Sequence, residues 1–262
     1  MRSAPAPLER MVVVVPVRNE EQLLGLALAH LRTAMDRIDG CGRLRSRLVV
    51  VLDDCTDRSA AIAKEAAAAD ARITVVSTGA RCVGAARALG VSTALADADP
   101  SSLQRWWIAN TDADTRVPPD WLELSANAAD AGADALVGTV EPDRAELGPA
   151  RFAAWRTAHV TTDGHPHIHG ANLGVRASAY LRAGGFQPVP SDEDVRLVHA
   201  LRSQGATVRS IGSPTVITSA RLRGRLSHGF ADYLSCLPDA GATPGDSRDE
   251  AAHVMDTAAH RP

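Results

Sequence analysis

The run M-V-V-V-V at residues 11–15 constrains the fold more than any other stretch. Five apolar residues with no polar alternation, closed by Pro16, read as a strand covered on both faces, and strands of that kind belong to parallel sheets flanked by helices. The pattern recurs in L-V-V-V-L at 48–52. Between the two runs, Leu24, Leu28, Leu31, Met35 and Ile38 fall at helical spacing before Gly40, with Asn19 placed to cap that helix and Glu20 and Glu21 at its positive end. An Ala-rich helix with Ile62 and a short strand at 73–76 follow the acidic segment Asp53, Asp54, Cys55, Thr56 and Asp57. Strand, helix, strand, helix, strand in that order predicts a right-handed, Rossmann-like α/β fold: a doubly wound, mostly parallel sheet with ligands at the C-terminal edges of its strands.

The next units extend this plan. Gly79, Ala80, Arg81 and Cys82 lead into a small-residue helix at 83–95, and 106–109 is a further buried strand that runs straight into N-T-D-A-D-T. Residues two apart on an extended segment point the same way, so Asp112 and Asp114 can converge on one point, where two hard oxygen donors suit a divalent cation that keeps positions for phosphate oxygens. The competing reading makes either one a cap for a helix starting near Pro118 or Pro119. A helix at 121–132, a strand at 135–140 ending at Glu141 and a helical segment at 144–159 come next. The simple alternation then breaks: 161–166 is a polar loop, the segment from His167 to Arg176 reads as a strand, and 178–183 as a short helix closed by Gly184 and Gly185. Val195, Leu197, Val198 and Leu201 mark a last long helix, stopped by Gly205, and two short strands follow at 208–211 and 216–218.

Length and charge narrow the function. A chain of 262 residues is most simply one α/β domain, and a net charge of −3 with acids and bases interspersed offers no basic field for nucleic acid. The four cysteines Cys41, Cys55, Cys82 and Cys236 form no C-x-x-C pair. With no signal-like segment ahead of them they read as reduced thiols of a cytoplasmic protein. No run approaches the roughly 20 apolar residues of a membrane span, so membrane contact is at most peripheral.

Several titratable clusters bear on chemistry. Parallel topology brings Asp53 and Asp54 to the same sheet edge as Asp112 and Asp114. Asp57 stands where a helix cap stands, whereas Asp54 can accept the imide N–H of a uracil. Arg81 can engage a diphosphate or sit solvated on the surface. Asp192, Glu193 and Asp194 open a helix, which attracts acids for structural reasons alone, but one of them facing a closed site would have its pKa raised and serve as a general base. His165, His167 and His169 alternate and would share a face on a strand; contact with an acceptor or packing fits them better than a metal site, since no carboxylate lies in the segment. His228 follows the basic run Arg221, Arg223 and Arg225, which either folds over a diphosphate or leaves the domain.

Taken in order, these pieces resemble the family 2 glycosyltransferases of the GT-A fold over residues 11–234. V-V-V-V-P-V-R-N-E-E is similar to that family's opening strand and turn, V-V-V-L-D-D-C-T-D to its V-D-D-x-S-x-D element, and G-A-R-C-V-G-A-A-R-A-L-G to its glycine, arginine and N-x-G segment. N-T-D-A-D-T is similar to its D-x-D motif, G-A-N-L-G-V-R with G-G-F to its acceptor-side segment, and S-D-E-D-V-R-L to its E-D element. The resemblance implies a single GT-A domain over 11–236, with a nucleotide-binding half at 11–115 and an acceptor-side, catalytic subdomain at 116–236. A flexible segment at 1–10 and a disordered tail at 237–262 flank it.

It further implies a UDP- or GDP-sugar donor bordered by Pro16, Glu20, Asp54, Arg81 and Asp112. Mg²⁺ or Mn²⁺ is expected on Asp114 with Asp112, His228 standing as a third ligand, and Asp194, backed by Glu193, as the base. The expected reaction moves one sugar to the hydroxyl of a small or lipid-linked acceptor, with inversion. Cys55 and Thr56 depart from the family's Gly-Ser, and the Q-x-x-R-W signature of processive synthases is absent after Asp194, which favours single transfer. Related GT-A enzymes retain configuration, so both outcomes stay open. The rivals are a nucleotidyltransferase, which needs a glycine-rich basic phosphate loop where this chain has acidic V-R-N-E-E, and an inactive GT-A-like nucleotide-binding module.

Overall fold

The computed structural model describes residues 7–42, 44–222 and 230–238. His228, Arg223, Arg225, the first six residues and the expected tail beyond residue 238 lie outside the described residues. The first half follows the sequence pattern closely: β1 (Arg10–Val17), α1 (Leu24–Gly40), β2 (Arg45–Asp53), α2 (Ser59–Ala69), β3 (Ile73–Thr78), α3 (Val83–Leu95) and β4 (Trp106–Asn110). After β4 come β5 (Thr115–Arg116), α4 (Trp121–Asp130), β6 (Ala135–Pro142), α5 (Arg144–Leu147), α6 (Pro149–Ala158), β7 (Leu173–Arg176), α7 (Ala177–Arg182), α8 (Glu193–Ser203), β8 (Val208–Thr218) and α9 (Phe230–Ser235).

One eight-stranded sheet runs in the order β3-β2-β1-β4-β7-β6-β8-β5. β3, β2, β1 and β4 are mutually parallel, in the register Val14↔Val49 and Val13↔Ala109. The burial of β1 explains its unbroken apolar run. Met11, Val13 and Val15 join Leu48, Val50 and Leu52 under α1, while Val12, Val14, Val49 and Val51 face the other way, under Ala86 and Val91 of α3 and with Leu197 and Val198 of α8. A strand buried on both faces tolerates no polar alternate, and each such valine contributes about 1.5–3 kcal/mol relative to exposure. α3 lies so close to the sheet that a Cβ on Gly90 would stand 2.4 Å from Val14; the small-residue character of this helix is a packing requirement.

The sequence pattern is modified in four places. β7 lies antiparallel between β4 and β6, so the doubly wound plan turns mixed beyond β4. The expected strand from His167 begins only at Leu173, after a short 3-10 turn at Gly170–Asn172. The two short strands expected at the C-terminal end of the sheet are one, β8. The helical segment at 144–159 divides at Gly148, whose φ of 81° no helix can continue, with Pro149 restarting the next helix at its first turn.

The chain divides into two compact units. One is drawn from Met1–Glu141 and Thr161–Thr218 and carries the sheet; the other is drawn from Pro142–Val160 and Ser219–Pro262. The second has its own apolar cluster, in which Leu147, Phe152, Trp155, Leu234 and Leu237 are buried.

Candidate active site

Two loops leave the C-terminal ends of β1 and β2 and bind each other. Asn19 does not cap α1, which starts at Leu24 with the carbonyl of Glu20 receiving the N–H groups of Leu23 and Leu24. Instead its Oδ1 accepts the Thr56 N–H at 2.8 Å, the Glu20 N–H donates to Ser59 Oγ at 2.8 Å, and the Glu21 N–H donates to Asp57 Oδ2 at 2.9 Å. The Arg58 N–H returns a bond to Glu21 Oε2. The other oxygen of Asp57 takes the N–H of Ser59, the first residue of α2, so the carboxylate both serves the helix start and ties the loops together.

Asp53 and Asp54 are adjacent but do different work. Asp53 is buried, and its two oxygens accept the backbone N–H groups of Arg81 and Cys82 at 2.7 and 2.8 Å. It fixes the turn that delivers Arg81. Asp54 and Arg81 both sit at positive φ, 51° and 50°, and meet in an ion pair at 2.6 Å, with Arg81 largely exposed and Asp54 a third exposed. Pro16 is half-buried at the end of β1 and Glu20 is buried.

Asp112 and Asp114 follow β4. Both are half-buried while Ala113 between them is 3 % exposed, so the two carboxylates share one side of the segment. Neither caps α4, whose preceding residue Asp120 also makes no side-chain cap. Asp112 Oδ1 accepts from Arg87 Nη2 at 2.6 Å, and Asp114 Oδ1 accepts from the Thr218 and Thr115 hydroxyls at 3.2 and 3.4 Å. Hard carboxylate oxygens facing one side suit Mg²⁺ or Mn²⁺, and two of them with diphosphate oxygens make a workable donor set. Among the described residues no group of three or more His, Cys, Asp or Glu side chains able to hold a metal ion occurs; a cation on these two carboxylates would take its remaining ligands from a bound molecule or from elsewhere in the chain.

Arg87, in the middle of α3, is 2 % exposed. Its Nη2 reaches Asp112, its Nε donates to Glu193 Oε1 at 3.0 Å, and a Cβ at Gly170 would come within 2.6 Å of Nη2. Burial alone would lower the pKa of the guanidinium, but Asp112, Glu193 and Asp194 outweigh it and hold the charge more firmly than usual. Asp194 is the counterpart: burial, reinforced by the neighbouring Glu193 carboxylate, pushes it up to about 7 against the pull of Arg87 and the N–H groups of Val195 and Gly170. A carboxyl poised there can exchange protons at neutral pH.

Arg87 and Asn172 are the residues that sequence patterning passes over. Arg87 shares the buried stripe of α3 with Gly84, Gly90, Val91 and Ala94, and an arginine within an apolar stripe is itself a signal, since full burial of such a group demands partners. Asn172 accepts from Trp121 Nε1 and donates to the carbonyls of Thr139 and Pro214, all at 2.9 Å, pinning α4, β6 and β8 at one point. The rings of His165, His167 and His169 lie nearly parallel, 6.0 and 6.1 Å apart between successive centroids. They belong to no three-ligand metal group among the described residues, and packing fits them better.

The family model described as glycosyl transferase family 2 matches residues 12–180. No curated protein matches the chain in sequence. Solved structures share the fold. A mannosyltransferase from Pyrobaculum calidifontis, in complex with GDP-Man and Mn²⁺, has a TM-score of 0.57 at 23% identity, covering 84% of this chain and 60% of its own. GalNAc-T7 with UDP, GalNAc and Mn²⁺ has a TM-score of 0.58 at 12% identity over 83% of this chain and 44% of its own. A mycobacterial protein has a TM-score of 0.53 at 17% identity over 83% and 68%. The chain thus spans 60% or less of the length of the two named transferases.

Proposed function

The chain belongs to the glycosyl transferase family 2, and on that premise we propose that this glycosyltransferase moves one sugar from a nucleoside-diphosphate sugar to an acceptor hydroxyl with the help of a divalent cation. The observation that carries this is the placement of Asp54, Asp112 and Asp114 in loops leaving parallel strands whose C-terminal ends share one edge of the sheet, with Asp194 joined to Asp112 through Arg87 and Glu193. The structures bound to GDP-Man or UDP with Mn²⁺ share this fold and are consistent with such a donor. No helix among the described residues is long and apolar enough to cross a membrane, which fits an acceptor that is small or offered from a lipid surface.

In this reading Pro16, Glu20 and Asp54 border the nucleoside, the Asp54 carboxylate accepting an N–H of the base while Arg81 faces the phosphates. Asp112 and Asp114 would hold the cation, with His228 as a further ligand, and the cation would supply charge compensation for the departing diphosphate. Asp194 takes the proton of the acceptor hydroxyl as its oxygen bonds to the anomeric carbon and the bond from that carbon to the diphosphate oxygen breaks. Attack opposite the leaving group inverts configuration. Glu193, held by Arg87, keeps the Asp194 carboxyl in a field that favours its protonated form until needed. Residues 11–115 then serve the donor and 116–236 the acceptor, at a cytoplasmic location.

Calorimetry with UDP and GDP tests the donor site. Binding that strengthens with Mn²⁺ and loses that dependence in Asp114→Asn supports the reading, and metal-independent binding removes Asp112 and Asp114 from their role. Asp194→Asn should keep nucleotide affinity while turnover, followed with a panel of sugar nucleotides, drops by about 10² or more. Unchanged turnover moves the base elsewhere, Glu193 first.

A further inference from the structure

Arg87 joins two carboxylates that the proposed reaction uses at different moments. Asp112 belongs to the donor side, while Glu193 adjoins the base, and one buried guanidinium holds both, at 2.6 and 3.0 Å. Its position is not adjustable. The Phe186 ring lies 5.9 Å from its Cζ, Gly170 leaves no room for a side chain beside Nη2, and α3 is locked against β1 and β2 at Gly90. We propose that Arg87 is a positioning residue that couples the ionisation of Asp194 to occupation of the donor site. The inference rests on the donor and base roles proposed above and adds a link between them.

The argument is electrostatic. With the donor site empty, Arg87 divides its charge between Asp112 and Glu193, and Asp194 holds its proton up to about pH 7 because it is poorly hydrated and beside another acid. Once a divalent cation and a diphosphate engage Asp112, that carboxylate is compensated from its other side. The field of Arg87 then acts on Glu193 and Asp194 with less opposition, and the Asp194 proton passes to solvent. The base is fully available as an acceptor of protons once the donor site is occupied, and only partly so in the resting site.

The other groups around Asp194 do not supply this response. Glu193 on its own helix opposes ionisation, and the Gly170 N–H is fixed backbone. From the neighbouring elements, Arg182 of α7 offers its carbonyl to Gln204 beyond the end of α8, and Arg209 of β8 donates to the Ala131 carbonyl. His169, next to Gly170, stacks on His167, and Asp192 is exposed at the loop.

The test is a count of protons. UDP or GDP, premixed with saturating Mn²⁺ so that the nucleotide has shed its own protons, is titrated into the full chain at pH 7 in two buffers of different ionisation enthalpy. The wild type should release up to about half a proton per site, the maximum for a group half-protonated at that pH. Asp194→Asn should release almost none, and Arg87→Gln should bind with the release largely lost. Arg87→Lys, which keeps the charge but has no fork, should fall between. Should Arg87→Gln fail to fold, Arg87→Gln with Glu193→Gln removes the carboxylate it strands and carries the same expectation. Binding without proton release in the wild type, or full release in the Arg87→Gln backgrounds, overturns the link while leaving the donor reading intact. No heat from either nucleotide overturns the donor reading and the link with it.

Discussion

The two ends of the parallel strands carry opposite charge and treat it in opposite ways. At the C-terminal ends, Asp53, Asp54 and Asp112 each receive a donor: backbone N–H groups, Arg81 and Arg87 respectively. At the N-terminal ends, Arg10 and Arg45 face each other in register, Arg47 follows two residues along the same face, and all three are exposed. Arg10, Arg45, Arg47 and Arg72 line a cavity of about 400 Å³. Among the described residues, acids engage Arg72 alone of these four, through Asp36, Asp39 and Asp70. The difference shows what a charge costs in each place. Water solvates Arg10, Arg45 and Arg47 at one end, so they need no geometry; at the other end burial of Asp53, Arg87 and Glu193 forces each into a specific pairing, and specific pairing is what a reaction can use.

The contrast can be broken in four ways. Arg87→Met strands two carboxylates and should lower unfolding free energy by about 3–5 kcal/mol in urea denaturation, the range for breaking a buried ion pair. A loss below about 1 kcal/mol would mean water reaches the network. Asp53→Ala leaves the N–H groups of Arg81 and Cys82 without their acceptor and should cost about 1–3 kcal/mol, with nucleotide affinity falling too because the Arg81 turn loosens.

The pH dependence sharpens the contrast. Asp194 is pushed from 3.8 to about 7 in the folded state, so between those values the unfolded chain gives up a proton that the folded one keeps. Stability is therefore lost as pH rises across that window. Asp194→Asn removes the penalty: its melting temperature should exceed the wild type's at pH 8 by several degrees, and by little at pH 4. An equal gain at both pH values would place the carboxyl in water. The smallest effect is at the other edge, where Arg45→Gln should shift stability by no more than about 0.5 kcal/mol, upward at low salt, since it relieves a like-charge pair. That gain should vanish at high salt, where exposed charges are screened.

The same contrast marks what was legible in the sequence. The four parallel strands and the helices between them could be read because two-sided burial forces unbroken apolar runs, and Gly, Pro and acids punctuate them. β7 was displaced because its antiparallel insertion between β4 and β6 is decided by partners far along the chain, and H-I-H-G-A-N-L-G carries no local mark of where pairing starts. Asn19 looked like a helix cap because the local signal for a cap and for a loop-to-loop bond is the same residue type; only the position of Thr56 separates them. Asp112 and Asp114 were singled out by spacing, while Arg87, which holds one of them, was hidden among alanines since periodicity reports burial and not pairing.

Among the described residues, the four non-glycine residues at positive φ, Asn19, Asp54, Arg81 and Asp192, all lie on the loops that carry the candidate site. Each holds the backbone where L-residues resist it, at a cost of order 1 kcal/mol, with Asn the most tolerant. Glycine at Asp54, Arg81 or Asp192 would relax the chain and in the same stroke delete a side chain from the loops of the candidate site. On the proposed function, heat resistance and turnover compete for the same few positions. A more thermostable descendant of this protein has to gain its stability in α1, α2 or the arginine-lined end of the sheet, and leave these loops tense.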